Sequence, residues 1–216
     1  MDKGLRHRLG AGAKRRWLRR CLVATATIVG ASVASSASAA SGQRVTDAKD
    51  GFSIVLPPGW AQVSLSGGDV GALIGNSGLK LNSSLLSEVQ SAASKGIKLF
   101  AVSSAVENGG FTPNMNVVVV HATESPSLLS AEAKIGLTQA GARGVTTRRI
   151  KLTTGPAVLV TYSIPPTGAN AAAVYGTQVY VTHHGMTYIL SFTDATRSGS
   201  KRSESMMMST WRYPSH

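Results

Sequence analysis

The sequence predicts an α+β domain: a mainly antiparallel β-sheet with helices packed on both faces. Three observations carry this. The second half of the chain alternates apolar and polar residues in runs joined by short glycine turns. The run Val117-Val118-Val119-Val120 suggests a strand covered on both sides. Several other stretches space their apolar residues at helical intervals. A chain of 216 residues, 43% of them apolar, is enough for one domain core.

In chain order, Phe52, Ile54 and Leu56 share one side of a strand by the two-residue period. Pro57-Pro58-Gly59 ends that strand, because a proline cannot donate to a ladder. Trp60 to Val63 resumes extended chain, which makes the stretch a hairpin-like corner with Trp60 in the core rather than on a carbohydrate platform. The glycine-rich loop over 65–78 lacks the G-x-G-x-x-G spacing of a phosphate loop and reads as a linker or lid. Leu81, Leu85, Val89 and Ala92 recur at helical spacing until Lys95-Gly96 closes the helix. Ile97 to Val102 is a strand, residues 107–110 a turn, and 114–122 the doubly covered strand.

A second helix is expected from Ser127 to Ala142, with Leu128, Ala131 and Ile135 on its buried stripe and Glu132 in its first turn. Strands Val145 to Leu152 and Ala157 to Ile164 meet at Thr154-Gly155, and strands Val174 to Thr182 and Met186 to Thr193 flank His184-Gly185. The latter turn pairs Val181 with Tyr188 and Val179 with Leu190, so these four and Phe192 share one face while Tyr180 and Ile189 take the other. The uncharged stretch 165–176 is a hairpin tip. In a short last helix, Met207 and Trp211 lie one turn apart with Met208 nearby, which reads as a docked, gap-filling side rather than a soft-metal patch.

The formal charge of +12 suggests a nucleic acid or an anionic membrane as partner until it is located. The first forty residues hold eight Lys/Arg against Asp2 alone, so only +5 belongs to residues 41–216. Those forty residues have the anatomy of an export signal: a basic start through Arg20, the apolar run Cys21 to Ala34, then small residues. Ala37-Ser38-Ala39 fits the A-x-A rule and places cleavage between Ala39 and Ala40 or one residue later. The apolar run is shorter than the ~20 residues a stable span needs, so no transmembrane anchor is expected. Arg15-Arg16 matches a twin-arginine signal poorly, and Cys21 follows residues unsuited to lipid attachment. Cleavage would leave the exported chain without a thiol. The expected organisation is a cleavable signal over 1–39, a short linker over 40–50 and a single domain over 51–216.

No catalytic set emerges. S-x-x-K occurs twice, at Ser77 to Lys80 and Ser198 to Lys201, without the S-D-N or K-T-G elements that give the motif meaning. G-x-S-x-G is absent and the acids form no suggestive pair. Adjacent His183 and His184 are expected to point to opposite sides of a strand end, and no spacing supplies the other ligands of a zinc site. No cofactor and no metal are expected. The remaining positive feature is the cluster Arg143, Arg148, Arg149 and Lys151. Alternation sends Arg149 and Lys151 to one face and Arg148 to the other, as on a solvated edge strand protected by charge. Contact of Arg148, Arg149 and Lys151 with an anionic envelope polymer or lipid headgroup is the functional alternative.

The order strand pair, helix, two strands, helix, four antiparallel strands and a terminal helix resembles the PsbP-like (Mog-type) α/β/α sandwich proteins, with the LpqN-type exported proteins of actinobacteria among them. The resemblance covers about residues 45–213 and is carried by "FSIVLPPGW", "NMNVVVV", "GPAVLVTY", "THHGMTYILSFT" and the tryptophan of the last helix. It implies a non-catalytic accessory or partner-binding domain and supplies no catalytic residues to transfer. The expected function is therefore an exported protein of the cell envelope or extracellular space that binds a protein partner. The alternative is a carrier for a lipid or other apolar small molecule, held between the sheet and the 66–78 segment; an envelope hydrolase is the third reading. No nucleic-acid partner is expected.

Overall fold

The structure is a computed structural model that describes residues 42–63, 96–105, 111–121, 124–166, 173–198 and 201–213. The leader with its Ala39–Ala40 junction, the 65–78 loop, the helix expected over 81–95, the 107–110 turn and the tip of the 165–176 loop lie outside the described residues. The rest is α+β and mainly antiparallel sheet. Strands β1 (Gln43–Asp47) and β2 (Phe52–Leu56) form a two-stranded sheet. Strands β3 (Trp60–Val63), β4 (Ile97–Ser103), β5 (Asn114–His121), β6 (Arg143–Leu152), β7 (Gly155–Ile164), β8 (Val174–His183) and β9 (Met186–Asp194) form a seven-stranded sheet in the order β3-β4-β5-β9-β8-β7-β6. Helix α1 (Pro126–Gln139) joins β5 to β6, and α2 (Lys201–Thr210) follows β9.

The crossover explains the strand order. β5 and β6 stand four positions apart in the sheet, roughly 19 Å at the usual strand spacing. The 14 residues of α1 extend roughly 21 Å, so one helix carries the chain to the far edge. From there the hairpins β6–β7, β7–β8 and β8–β9 lead back until β9 pairs with β5 along its whole length, Asn114 opposite Thr193 through His121 opposite Met186.

Two cores alternate along the strands. Val118, Val158, Val160, Tyr180 and Ile189 belong to the first, together with Leu129, Ala133 and Leu137 of α1. Val117, Val119, Leu159, Val179, Val181, Tyr188, Leu190 and Phe192 belong to the second, with Phe52, Ile54 and Leu56 of β2 and with Met207 and Trp211. The valine run of β5 thus feeds both cores, and the pairs Val181–Tyr188 and Val179–Leu190 form as the turn dictates. That turn needs a positive φ at both central residues, and it has them: 45° at His184 and 77° at Gly185.

Four expectations are corrected. Residues 43–47 are not linker: β1 pairs with β2, Val45 opposite Ile54, and buries Val45, because the turn over 48–51, in which the Asp50 N–H donates to the Asp47 carboxylate at 2.9 Å, folds the two segments together. The Pro57-Pro58-Gly59 corner is not a hairpin but a turn between sheets. The Trp60 N–H donates to the Pro57 carbonyl at 3.1 Å and Gly59 takes φ 77°, the geometry of a type II turn, after which β3 pairs with β4. Trp60 is half-buried against the second core, not enclosed in it.

The stripe of α1 is also displaced. Leu128 and Ile135 are 46% and 57% exposed, Ala131 is exposed, and Leu129, Ala133 and Leu137 face the sheet. The helix carries apolar residues at both sets of helical spacings, and its ends select between them. Ser125 caps the start, its hydroxyl accepting from the Leu128 N–H at 3.3 Å, which places Glu132 beyond the first turn. Gly141, at φ 88°, closes the end in a Schellman pattern: Ala142 N–H donates to the Leu137 carbonyl at 3.0 Å and Gly141 N–H to that of Thr138 at 3.1 Å. Ala142 and Leu137 then pack together in the first core.

Candidate functional site: a basic cleft beside the last helix

The end of the domain is clamped to β2. Backbone groups of Ser53 and Arg212 exchange two hydrogen bonds of 2.9 Å, and the Thr210 hydroxyl accepts from the Val55 N–H at 3.0 Å. Met207 and Trp211 are fully buried on that side. Docking by this stripe turns another outward: Lys201, Glu204, Ser205 and Met208, three, four and seven residues apart, line a cleft of about 520 Å³.

The floor of the cleft is the β6–β8 end of the large sheet. Thr146 lies opposite Thr161, and Thr161 opposite Thr177, so three threonines stand side by side across three strands. The Thr146 and Thr161 hydroxyls are 2.7 Å apart. Beyond them Arg148 pairs with Leu159, and both line the cleft. A register shift between Arg143 and Thr146, with Gly144 at φ 60°, bends this edge strand.

The third side is the β9–α2 connection. Buried Asp194 organises it: its carboxylate accepts from the Thr196 N–H at 2.8 Å and from the Thr196 hydroxyl at 3.4 Å. This turn delivers Thr196 and Arg197 to the cleft, where the Arg197 guanidinium sits 5.8 Å from the centre of the Tyr175 ring. Among the described residues, three cations from three separate segments, Arg148, Arg197 and Lys201, therefore share one cavity with a single acid, Glu204. Such a site draws anions, and among the described residues its aliphatic lining is Leu159 and Met208.

Of the three cations offered in the sequence for an anionic contact, Arg148 reaches this cleft, and it is joined there by Lys201, noted only as the end of an S-x-x-K match, and by Met208, expected to fill a gap. Arg149 pairs with Val158 of the first core, and Lys151 alternates with it, so both belong to the other side of the exposed edge strand β6. The aliphatic cavity expected beside residues 66–78 lies outside the described residues. Arg197 carried no signal except proximity to a helix start, and Lys201 only that and the S-x-x-K match, which pointed to a different chemistry. The threonine floor was readable only through the β7–β8 register, which the long 165–173 connection does not reveal.

The histidines are placed otherwise than expected. His183 and His184 do not diverge: the left-handed backbone at His184 folds its ring onto that of His183, centroids 3.9 Å apart, and the Tyr213 ring stacks on His183 at 3.8 Å. Tyr213 also meets Tyr188 in a tilted contact, centroids 5.5 Å apart and planes at 48°, and the Tyr188 hydroxyl donates to the Asp50 carbonyl at 3.1 Å. Burial first, then the charges of Tyr213 and Asp50, push the Tyr188 hydroxyl up from the ordinary tyrosine value. Burial also raises Tyr213, partly offset by the nearby Trp211 and Thr154 side chains, although these polar atoms are not in well-formed hydrogen-bond geometry. Among the described residues no group of three or more His, Cys, Asp or Glu is arranged to hold a metal ion, and no helix is long and apolar enough to cross a membrane.

No protein-family model matches the chain, and no curated protein matches it. The structure is similar to the solution structure of PsbP (CyanoP) from the cyanobacterium Synechocystis sp. PCC 6803, at 13% identity and a TM-score of 0.49, over 84% of this chain and 97% of that one. It is similar also to the crystal structure of LpqN, described as involved in cell envelope biogenesis of Mycobacterium tuberculosis, at 12% identity and a TM-score of 0.48, over 80% of this chain and 91% of that one. A PsbP and an LpqN are thus both among the structures this chain is similar to, as expected from the sequence.

Proposed function

We propose that the chain is an exported, non-catalytic accessory protein of the cell envelope or extracellular space, and that it binds its partner through the cleft beside α2. In this reading a leader over 1–39 precedes one domain that begins at β1, and the large sheet is an α/β/α layer with α1 on one face and α2 on the other. The observation that supports it is the convergence of Arg148, Arg197 and Lys201, from β6, the β9–α2 connection and α2, on one cavity. Its volume of about 520 Å³ falls in the range of ligand sites. A chain exported as its leader suggests would meet anionic surface components at such a site.

Fractionation of the producing cells, with the N-terminal sequence of the recovered protein, tests export: the reading expects a chain starting at Ala40 or Ser41, and a cytoplasmic protein retaining Met1 overturns it. A photo-crosslinking residue at Ser205, in the cleft, is expected to capture an envelope component that the same residue at exposed Gln139 of α1 does not. Equal capture at both positions overturns the assignment of the binding surface.

A further inference from the structure

We infer that the cleft takes a hydroxyl-rich anion, a phosphate carried on a sugar or polyol. The inference rests on the cleft being the binding surface and adds the class of its ligand. Charge comes first. Among the described residues, Arg148, Arg197 and Lys201 line the cavity with only Glu204 against them, which favours an anion and disfavours a cation or a neutral apolar molecule. The position of two arginines and a lysine around one space suits an oxyanion, because guanidinium groups bind phosphate by paired donors and an ammonium adds a point charge.

The lining then distinguishes a bare anion from a substituted one. At about 520 Å³ the cavity is much larger than a phosphate ion, and the space next to the cations is floored by hydroxyls rather than by aliphatic groups. Thr146, Thr161 and Thr177 present them as a row across β6, β7 and β8. The Thr146 and Thr161 hydroxyls share one hydrogen bond of 2.7 Å, which leaves that pair one proton and spare lone pairs for a ligand, and the Thr177 hydroxyl adds a donor and an acceptor, the complement of a ligand that also bears hydroxyls. Tyr175 adds an aromatic wall, steadied by the Arg197 guanidinium over its ring. Among the described residues an acyl chain would find two aliphatic side chains, Leu159 and Met208, too few for the lining typical of apolar pockets.

Calorimetric titration of the purified protein tests this, with myo-inositol 1-phosphate as probe and inorganic phosphate, myo-inositol and a polyglutamate peptide as comparisons. The expected result is binding of myo-inositol 1-phosphate at least about tenfold tighter than of phosphate, with myo-inositol weaker than either. Arg148→Gln and Lys201→Gln should each weaken it about tenfold, and Lys134→Gln on α1 should not, with all three variants melting like the parent. Equal affinity for phosphate and myo-inositol 1-phosphate, tighter binding of the peptide, or indifference to Arg148→Gln and Lys201→Gln overturns the inference. Phosphatidylcholine vesicles with and without phosphatidylinositol separate the sources: retention on the doped vesicles assigns a lipid headgroup, and binding of the soluble probe alone assigns a free or polymer-borne phosphate. If every small probe fails while crosslinking at Ser205 persists, the ligand class falls and the binding surface stands; if crosslinking is lost as well, both fall.

Discussion

The Trp211 indole lies flat on the Phe52 ring, centroids 5.1 Å apart and planes 11° from parallel, so the residue after the last helix is stacked on the first residue of β2. Tyr188 of β9 meets the edges of both rings, at 5.4 Å from Trp211 and 6.3 Å from Phe52. Three distant parts of the chain thus close one aromatic centre, and α2, which forms a wall of the cleft, is held in place by it. The position of Lys201 and Glu204 over the threonine floor depends on this packing.

Trp211→Ala is accordingly expected to be the most damaging tryptophan substitution in the domain, costing about 3–5 kcal/mol for a fully buried side chain. Trp60 is only half-buried, so Trp60→Ala should cost less, about 1–3 kcal/mol. Denaturant unfolding of the two variants measures the order, and a larger loss at Trp60 than at Trp211 would contradict this account of the core.

Gly176 of β8 stands opposite Tyr162 of β7, and a Cβ at Gly176 would run into the Tyr162 ring and, at 2.6 Å, its hydroxyl. Tyr162 is buried, so its ring has little room to give way. Gly176→Ala should therefore destabilise by about 1–3 kcal/mol through overpacking. In a Tyr162→Leu background the same substitution should cost much less, because the obstructing ring is gone. A double-mutant cycle by thermal unfolding reads the coupling; additive effects would show that the ring does not cross the glycine.

Alkaline stability should fall once the pH passes about 10, the ordinary tyrosine value. Tyr188 and Tyr213 are both raised in the folded protein, chiefly by burial. The folded state then holds its phenolic protons more tightly than the unfolded state, so the contribution is complete below about pH 10 and is lost as the pH rises through the raised folded values. Tyr188→Phe together with Tyr213→Phe should flatten this part of the profile, followed as melting temperature against pH. A profile that steepens in the double variant would reverse the sign assigned here.

The sequence was most informative where a turn fixes a register. His184-Gly185 is a two-residue connection, and from it the Val179–Leu190 and Val181–Tyr188 pairs, and the faces they occupy, follow directly. The valine run of β5 likewise announced cover on both sides. Periodicity failed on α1, where Leu128-Ala131-Ile135 and Leu129-Ala133-Leu137 are both acceptable helical stripes, and only the caps at Ser125 and Gly141 and the sheet beneath decide between them. It failed on β1 because Gln43 to Asp47 contains one apolar residue, and pairing with β2, not its own pattern, makes it a strand. The cleft was legible only as a split basic cluster. Arg148 was visible, but Arg197 is brought to it by the Asp194–Thr196 turn and Lys201 by docking of α2, and the S-x-x-K match at Lys201 said nothing of either.

The claim that binding runs through the cleft is tested most directly by a pair of neighbours on one strand. Arg148 lines the cleft, and Arg149 belongs to the other side of β6. Both are exposed, so Arg148→Glu and Arg149→Glu change net charge equally. Co-sedimentation of the purified variants with isolated envelopes of the producing cells measures the difference. The account predicts that Arg148→Glu releases the protein from the envelope fraction, by about tenfold in affinity or more, while Arg149→Glu remains bound. Equal release of the two variants would contradict it, since binding would then follow overall charge at the sheet edge and not the cavity that Arg148 shares with Arg197 and Lys201.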